Sequence, residues 1–125
     1  MIVLDASILI ALLSRDDAHH LNAAQILANT PEQALATPSL TLAEALVKPA
    51  RARRAAEAEA LLRRYGIDEM APSRPIDLAL LRANSGLRMP DAVVLQAALD
   101  SGGRLATFDQ RLAGSARQHG VPVLP

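Results

Sequence analysis

Short apolar runs alternate with longer helix-forming segments from one end of the chain to the other. Strands that alternate with helices form right-handed βαβ units, whose strands lie parallel in one sheet. The alternation therefore predicts an α/β fold in which a central parallel β-sheet, doubly wound, is flanked by helices on both faces. The predicted strands are MIVL (1–4), ALATP (34–38), IDEMAP (67–72), RLATF (104–108) and VPVLP (121–125).

Helical periodicity, capping residues and Pro or Gly near the ends predict the helices between these strands. Asp16 or Asp17 is expected to cap the second helix. Pro49 is expected to end or bend the next one. The predicted apolar face of the second helix consists of Leu21, Ala24, Leu27 and Ala28. The other helical segments are ASILIALLSR (6–15), SLTLAEALVK (39–48), RARRAAEAEALLRRYG (51–66), PIDLALLRANSGL (75–87), MPDAVVLQAALDSGG (89–103) and DQRLAGSARQHG (109–120).

Length and composition predict one domain, residues 1–125, with an aliphatic core. Only Tyr65 and Phe108 are aromatic, which argues against an aromatic platform for stacked nucleobases. The chain has no cysteine, which excludes disulfides and thiolate metal sites and fits a reducing compartment. The first residues lack the basic start and cleavage site of a signal peptide, and no run approaches the ~18 apolar residues of a membrane span. We therefore expect a cytoplasmic protein without membrane contact.

The chain carries no net charge, with 13 basic and 13 acidic residues, so any nucleic-acid binding must be local. Arginines concentrate between positions 51 and 88. Helical spacing favours a solvated surface with the ion pairs Glu59–Arg63 and Arg53–Glu57, and a phosphate-binding surface is the alternative. These arginines are Arg51, Arg53, Arg54, Arg63, Arg64, Arg74, Arg82 and Arg88.

Four acidic residues lie beside predicted strand ends or helix starts. Asp5 follows the first strand and Asp109 follows the RLATF strand. Both should project into the crevice at the carboxyl edge of the sheet, where α/β proteins bind ligands. Glu44 lies about one turn into the helix after ALATP. Asp91 lies in the first turn of the helix before RLATF, which connectivity alone places less securely.

Each of these acids also has a purely structural explanation. Asp5 and Asp109 can cap the helices that follow them, and Asp91 can interact favourably with the dipole of its helix. Glu44 can complete a capping box with Thr41 in the segment TLAE. Such roles explain each acid singly, but they do not account for four acids that all adjoin apolar segments.

Several carboxylates share a pocket only with protons or a cation, because two charges about 4 Å apart repel by roughly 4 kcal/mol at an effective dielectric of ~20. Oxygen ligands without Cys or His suit Mg²⁺ or Mn²⁺, and these ions engage phosphates. The pattern thus points to phosphodiester chemistry. Ser7 and Thr107, each two residues from an acid, are candidates for holding a carboxylate or a water, with ordinary turn or cap bonding as the alternative.

Four segments carry a family resemblance: MIVLDAS, TPSLTLAEAL, MPDAVVLQAAL and LATFDQRLA. Together they resemble the PIN-domain ribonucleases, and specifically the VapC-type toxins of bacterial type II toxin–antitoxin pairs. The resemblance covers essentially the whole chain and implies a PIN-like fold. It implies a catalytic and metal-binding quartet that includes Asp91 at the pocket, with Ser7 and Thr107 as accessory hydroxyls. The implied quartet is Asp5, Glu44, Asp91 and Asp109.

The resemblance further implies an endoribonuclease that uses Mg²⁺, with Mn²⁺ as a substitute, to hydrolyse RNA phosphodiester bonds. It also implies a homodimer, and a small cognate antitoxin that covers the acidic pocket, often with an inserted basic side chain.

Other functions remain open. One is a housekeeping RNA-processing nuclease with the same pocket, and another is a non-catalytic binding module, against which the intact quartet argues. A phosphatase of the aspartyl-phosphate type would carry a second acid where this chain has Ser7, and Lys48 is its only lysine. Three histidines near predicted helix ends are not expected to be catalytic. They are His19, His20 and His119.

Overall fold

A computed structural model describes residues 1–124, and Pro125, the last residue of the predicted VPVLP strand, lies outside the described residues. The strands are β1 (Ile2–Leu4), β2 (Leu35–Pro38), β3 (Ile67–Met70), β4 (Arg104–Ala106) and β5 (Val123–Leu124). The helices are α1 (Ala6–Leu13), α2 (His20–Ala28), α3 (Ser39–Arg51), α4 (Ala55–Arg64), α5 (Pro75–Ser85), α6 (Met89–Ser101) and α7 (Gln110–Gln118).

The strands form one sheet in the order β3-β2-β1-β4-β5, and every neighbouring pair is parallel. In the centre, Ile2 of β1 pairs with Leu35 on one side and with Arg104 on the other. The predicted α/β fold with a central parallel sheet is confirmed. Because all strands run the same way, the residues after β1, β2 and β4 meet at one edge of the sheet.

Alternation along the strands divides the core into two layers, because successive side chains of a strand point to opposite faces. Ile2 and Leu4 pack with buried residues of α1, α2, α3 and α4. Val3, between them, packs with buried residues of α5, α6 and α7. All three residues of β1 are fully buried, as expected for a parallel strand that is covered on both faces.

The crossover from β3 to β4 contains two helices, and it positions the start of α6. The α5 helix ends at Gly86, whose φ of +71° suits glycine because it has no Cβ. The Arg111 guanidinium, at the start of α7, donates a hydrogen bond to the Gly86 carbonyl at 3.4 Å. Since α7 follows β4 directly, this contact shows that the turn between α5 and α6 lies near the carboxyl end of β4.

Two local predictions are wrong. The N-cap of α2 is His19 rather than Asp16 or Asp17, and Asp17 instead accepts a hydrogen bond from the His19 amide at 2.8 Å. The buried residues of α2 are Ala23 and Ile26; of the predicted face, Leu27 packs partly buried against the core, whereas Leu21 is 80% exposed.

The expected ion pairs of the arginine-rich segment are also wrong. Arg54 pairs with Glu57 at 2.9 Å, and Arg63 pairs across to Glu69 of β3 at 3.4 Å. The backbone explains the first difference, because Arg53 has a φ of 60° and interrupts the helix ahead of α4. Pro49 lies inside α3, which continues only to Arg51.

Among residues 1–124, no helix is both long enough and apolar enough to cross a membrane.

Candidate functional site

Asp5 occupies the turn between β1 and α1, and it is only 5% exposed. One carboxylate oxygen, Oδ1, accepts hydrogen bonds from the Ser7 hydroxyl at 2.6 Å and from the Ile8 amide at 3.1 Å. The other, Oδ2, accepts from the Thr107 hydroxyl. Asp5 is thus the N-cap of α1, as its capping explanation predicted. Both carboxylate oxygens of Asp5 therefore accept hydrogen bonds.

Burial raises the pKa of Asp5, and the nearby charge of Asp109 raises it further. The hydrogen bonds from Ser7, Thr107 and the Ile8 amide act in the opposite direction, because they stabilise the carboxylate. The two hydroxyls therefore partly offset the destabilisation of the Asp5 negative charge by burial.

The same two hydroxyls tie the start of α1 to the loop between β4 and α7. Ser7 Oγ accepts a hydrogen bond from the Phe108 amide at 3.0 Å, and Thr107 Oγ1 accepts one from the Asp109 amide at 2.9 Å. Each hydroxyl donates to Asp5 and accepts from the loop. This pair of bridges fixes Asp109 relative to Asp5.

Asp109 is the N-cap of α7, and its Oδ1 accepts from the amides of Arg111 at 2.9 Å and Leu112 at 3.2 Å. The capping explanation is confirmed here too. Asp109 is exposed, unlike Asp5. A cap uses only one oxygen, so the second oxygen of Asp109 makes no hydrogen bond to the described part of the chain and can bind a ligand.

Asp91 lies in the first turn of α6 and is half-buried. Burial raises its pKa, and the negative charge of Asp109 raises it further. The positive charges of Arg88 and Arg111 act in the opposite direction. Asp91 therefore lies within electrostatic range of Asp109, which caps the helix that follows β4.

Glu44 is an exposed residue of α3. Burial raises its pKa, and so do the charges of Asp91 and Asp5, while Arg88 lowers it. The capping box with Thr41 is wrong, because Pro38 is the N-cap of α3 and has no side-chain oxygen or hydroxyl to bond the backbone. The Thr41 hydroxyl is instead buried without a hydrogen-bond partner in the described chain.

The four carboxylates thus influence one another electrostatically: Asp109 acts on Asp5 and on Asp91, and both Asp91 and Asp5 act on Glu44. We name this group the acidic site. In residues 1–124 no three carboxylates or imidazoles converge closely enough to enclose a metal by themselves. Such an open set of carboxylates suits Mg²⁺, which keeps several waters and binds through one or two carboxylates. It does not suit an ion that protein ligands must enclose completely.

Two arginines border the acidic site. Arg88 is the N-cap residue of α6, and its carbonyl accepts from the amides of Asp91 and Ala92 at 3.1 and 3.0 Å. Arg111 lies in the first turn of α7 and donates to the Gly86 carbonyl. Neither guanidinium forms a salt bridge within residues 1–124. Arg88 belongs to the arginines for which the sequence favoured a solvated surface over a phosphate-binding one. The sequence did not single out Arg111, although its place two residues after Asp109 was a usable signal.

No histidine side chain bonds a carboxylate of the acidic site within the described residues. His20 Nδ1 lies 2.7 Å from the Ala11 carbonyl oxygen, and His119 Nδ1 lies 2.8 Å from the Ser115 carbonyl oxygen. His19 instead stacks on Phe108.

A cleft of about 640 Å³ opens between α1, α3 and α4, beside the acidic site. Its lining is mainly aliphatic with a charged margin, and Glu44 belongs to both the cleft and the acidic site. Lining residues include Ile10, Leu13, Glu44, Lys48, Leu61 and Arg64.

The model of the PIN domain family matches residues 2–118, and the chain therefore belongs to the PIN domain family. PIN domains are nucleases that generally use divalent metal ions. No curated protein matches the chain.

Several solved structures share the fold. A toxin–antitoxin complex from Klebsiella pneumoniae is 23% identical, with a TM-score of 0.79, over 100% of this chain and 97% of that one. VapC20 from Mycobacterium tuberculosis, a sarcin–ricin loop cleaving toxin, is 19% identical, with a TM-score of 0.73, over 92% and 95%. PAE2754 from Pyrobaculum aerophilum is 25% identical, with a TM-score of 0.67, over 98% and 89%.

Proposed function

We propose that this PIN domain, a single domain of residues 1–125, is an Mg²⁺-dependent endoribonuclease and the toxin of a toxin–antitoxin pair, acting in the cytoplasm. The observation that carries the proposal is the acidic site, where four carboxylates from separate segments of the chain lie within electrostatic range of one another. Gathering like charges is unfavourable in the protein alone, so a ligand with positive charge is the natural occupant.

In this proposal the metal lies among the quartet Asp5, Glu44, Asp91 and Asp109, where one or two carboxylates bind it directly and the others bind it through its waters. Mn²⁺ is expected to substitute, because both ions prefer oxygen ligands. When bound, the divalent ion supplies positive charge at the phosphate and lowers the pKa of a water that attacks it.

The protein's own residues orient the site. The hydroxyls of Ser7 and Thr107 stabilise the charged form of the buried Asp5 carboxylate and fix its rotation, since each donates to a different oxygen. They also hold the exposed oxygen of Asp109 at a fixed position through the loop amides. Substituting either hydroxyl should lower the cleavage rate without removing a metal ligand.

Arg88 and Arg111 suit a polyanionic substrate. Both are exposed, act electrostatically on Asp91 and carry no salt bridge to an acidic side chain in residues 1–124. Apart from the Arg111 bond to the Gly86 carbonyl, their N–H donors are available to bind phosphates. They place positive charge directly at the acidic site of a chain without net charge. RNA phosphates on either side of the cut would then bind these two arginines.

A cognate antitoxin is the proposed protein partner, and the Klebsiella neighbour, a toxin–antitoxin complex, supports it. The cleft between α1, α3 and α4 has the aliphatic lining that an amphipathic helix recognises. An antitoxin segment bound there would adjoin Glu44 and could present a basic side chain to the acidic site.

We also propose a homodimer. Aliphatic side chains on the outer faces of α3 and α5 are exposed in one chain and would be covered by a partner copy. They are Leu40, Val47, Ile76 and Leu80, at 44%, 45%, 65% and 56% exposure. Light scattering should give twice the mass of one chain for the wild type and a smaller mass for Leu80→Glu.

The direct test of function is RNA cleavage by the purified protein. Metal-dependent cleavage that requires Asp91 supports the nuclease. A housekeeping nuclease is the alternative, and it differs from a toxin in two observable ways. Induction of a toxin should arrest growth, and co-expression of a small open reading frame adjacent to the gene should restore it. An active nuclease whose induction leaves growth unchanged would refute the toxin assignment.

A further inference from the structure

His19 and Phe108 form a stacked pair of rings beside the acidic site. Their centroids lie 4.4 Å apart and their planes differ by 16°. Phe108 is half-buried and packs against the core layer of α1 to α4, while His19 is exposed. One face of Phe108 is therefore covered by His19, and the imidazole presents its own outer side to solvent.

The ring pair is anchored directly to the acidic site. Phe108 lies between Thr107 and Asp109, and its amide donates to Ser7 Oγ at 3.0 Å. Ser7 Oγ in turn donates to Asp5 at 2.6 Å. Two hydrogen bonds therefore connect the backbone of the lower ring to the buried carboxylate, and the rings cannot move far from it.

The loop that carries His19 is also fixed. The His19 amide donates to Asp17 Oδ1 at 2.8 Å, and the Asp17 amide donates to the Ser14 carbonyl at 3.1 Å. The neighbouring His20 ring bonds the Ala11 carbonyl at 2.7 Å, which holds the loop on α1. The His19 side chain, by contrast, makes no hydrogen bond within residues 1–124. Its position depends on the stack and on the backbone alone.

We propose that the His19–Phe108 pair is a nucleobase-binding subsite, on which a base of the RNA strand stacks while the neighbouring phosphate lies at the acidic site. This inference rests on the proposed function and names a recognition element within it. The low count of Phe, Tyr and Trp had argued against base stacking, but that count leaves out histidine, whose flat ring also stacks on bases.

Stacking recognises the face of any base, so the subsite is expected to add affinity without strong sequence preference. Losing one stacked base should weaken RNA binding by roughly 5- to 150-fold. Because the rings lie outside the acidic site, the rate of cleavage at saturating RNA should change far less than the affinity.

Binding of a labelled, mixed-sequence RNA oligonucleotide, measured by fluorescence anisotropy with Ca²⁺ in place of Mg²⁺, tests the subsite apart from cleavage, since Ca²⁺ also takes oxygen ligands and offsets the repulsion between carboxylates and phosphates. His19→Ala should weaken binding by the stated factor, and His19→Tyr, which keeps a ring, should restore most of it. His119→Ala is the matched control, because His119 is also exposed but lies at the far end of α7. Circular dichroism should confirm that each variant is folded.

An oligonucleotide of the same length with abasic nucleotides separates stacking from charge. It should bind the wild type and His19→Ala equally, because it offers phosphates but no base. Unchanged RNA binding by His19→Ala, an equal loss for the abasic oligonucleotide, or no rescue by His19→Tyr would each overturn the subsite. The nuclease proposal would fail separately: the wild-type protein would still bind RNA in this base-dependent way but would cleave none in Mg²⁺.

Discussion

The hydroxyl of Thr107 offers the sharpest stability prediction, because one atom makes two hydrogen bonds in the acidic site. It donates to the buried Asp5 carboxylate and accepts from the Asp109 amide. A hydrogen bond to a charged group contributes about 1.5–3 kcal/mol, and a neutral one about 0.5–1.5 kcal/mol. Thr107→Val, which removes both while keeping the shape, should therefore lower the free energy of unfolding by about 2–4 kcal/mol near neutral pH.

The loss should depend on pH in a defined direction. Burial raises the pKa of Asp5 above its usual value of 3.8 in the folded protein, and the Thr107 bond counteracts that rise. Removing the bond raises the folded-state pKa further. Ionisation of Asp5 then destabilises the variant more than the wild type as pH rises from about 3.8 through the folded-state pKa. The difference should be smallest in acid and largest at neutral pH.

Urea unfolding between pH 4 and pH 8 measures this difference. Thr37→Val is the matched control, because Thr37 is fully buried and its hydroxyl donates to a neutral acceptor, the Leu4 carbonyl, at 2.9 Å. It should cost about 1 kcal/mol at every pH. In an Asp5→Asn background the effect of Thr107→Val should shrink. A loss below about 0.5 kcal/mol, or one equal to the control at every pH, would refute the assigned role of the Thr107–Asp5 bond.

Three further predictions concern the same edge of the sheet. Asp91→Asn should raise the free energy of unfolding of the metal-free protein by up to about 1 kcal/mol, because it removes one of several like charges and the side chain is partly exposed. Urea unfolding in EDTA measures the change, and a lower free energy of unfolding would contradict it. Thr41→Val should stabilise the protein by about 1 kcal/mol, because the buried hydroxyl has no partner in the described chain, and a lower urea midpoint would refute it. Mg²⁺ should raise the melting temperature of the wild type in a concentration-dependent manner and that of Asp91→Asn much less, whereas equal shifts would argue against a role for Asp91 in metal binding.

Features of the fold that depend on local pattern were predictable from the sequence. The strand at residues 2–4 is an uninterrupted apolar run, and Pro75 and Gly86 mark the limits of α5 as their backbone preferences require. The positions of Asp5 and Asp109 follow from the same pattern, because a residue that follows a parallel strand must lie at the carboxyl edge.

Features that depend on contacts between distant residues were not predictable in this way. The Ser7–Phe108 and Thr107–Asp5 bonds join residues 101 and 102 positions apart. The sequence made both hydroxyls candidates, but it could not show that each one bridges Asp5 to the loop. The stacking of His19 on Phe108 likewise depends on how the loop before α2 folds over the β4–α7 turn.

The wrong predictions have a common physical cause. Spacing along an ideal helix predicted the pair Glu59–Arg63, but Arg63 reaches a neighbouring strand instead. The TLAE pattern predicted a capping box, but α3 begins at Ser39, so Thr41 lies inside the helix rather than at its cap. The capping box failed because the helix begins two residues before Thr41, and the ion pair failed because Arg63 packs against a neighbouring strand. The catalytic and metal-binding roles of the four acids stay predictions.

The most direct test is to incubate the purified protein with total bacterial RNA in Mg²⁺, Mn²⁺ or EDTA, and to map new 5′ ends beside Asp91→Asn. We expect discrete cuts that need a divalent ion and disappear in the variant, while both proteins remain folded. Cuts of equal number and rate in Asp91→Asn, or in EDTA, would contradict a nuclease that works through the acidic site.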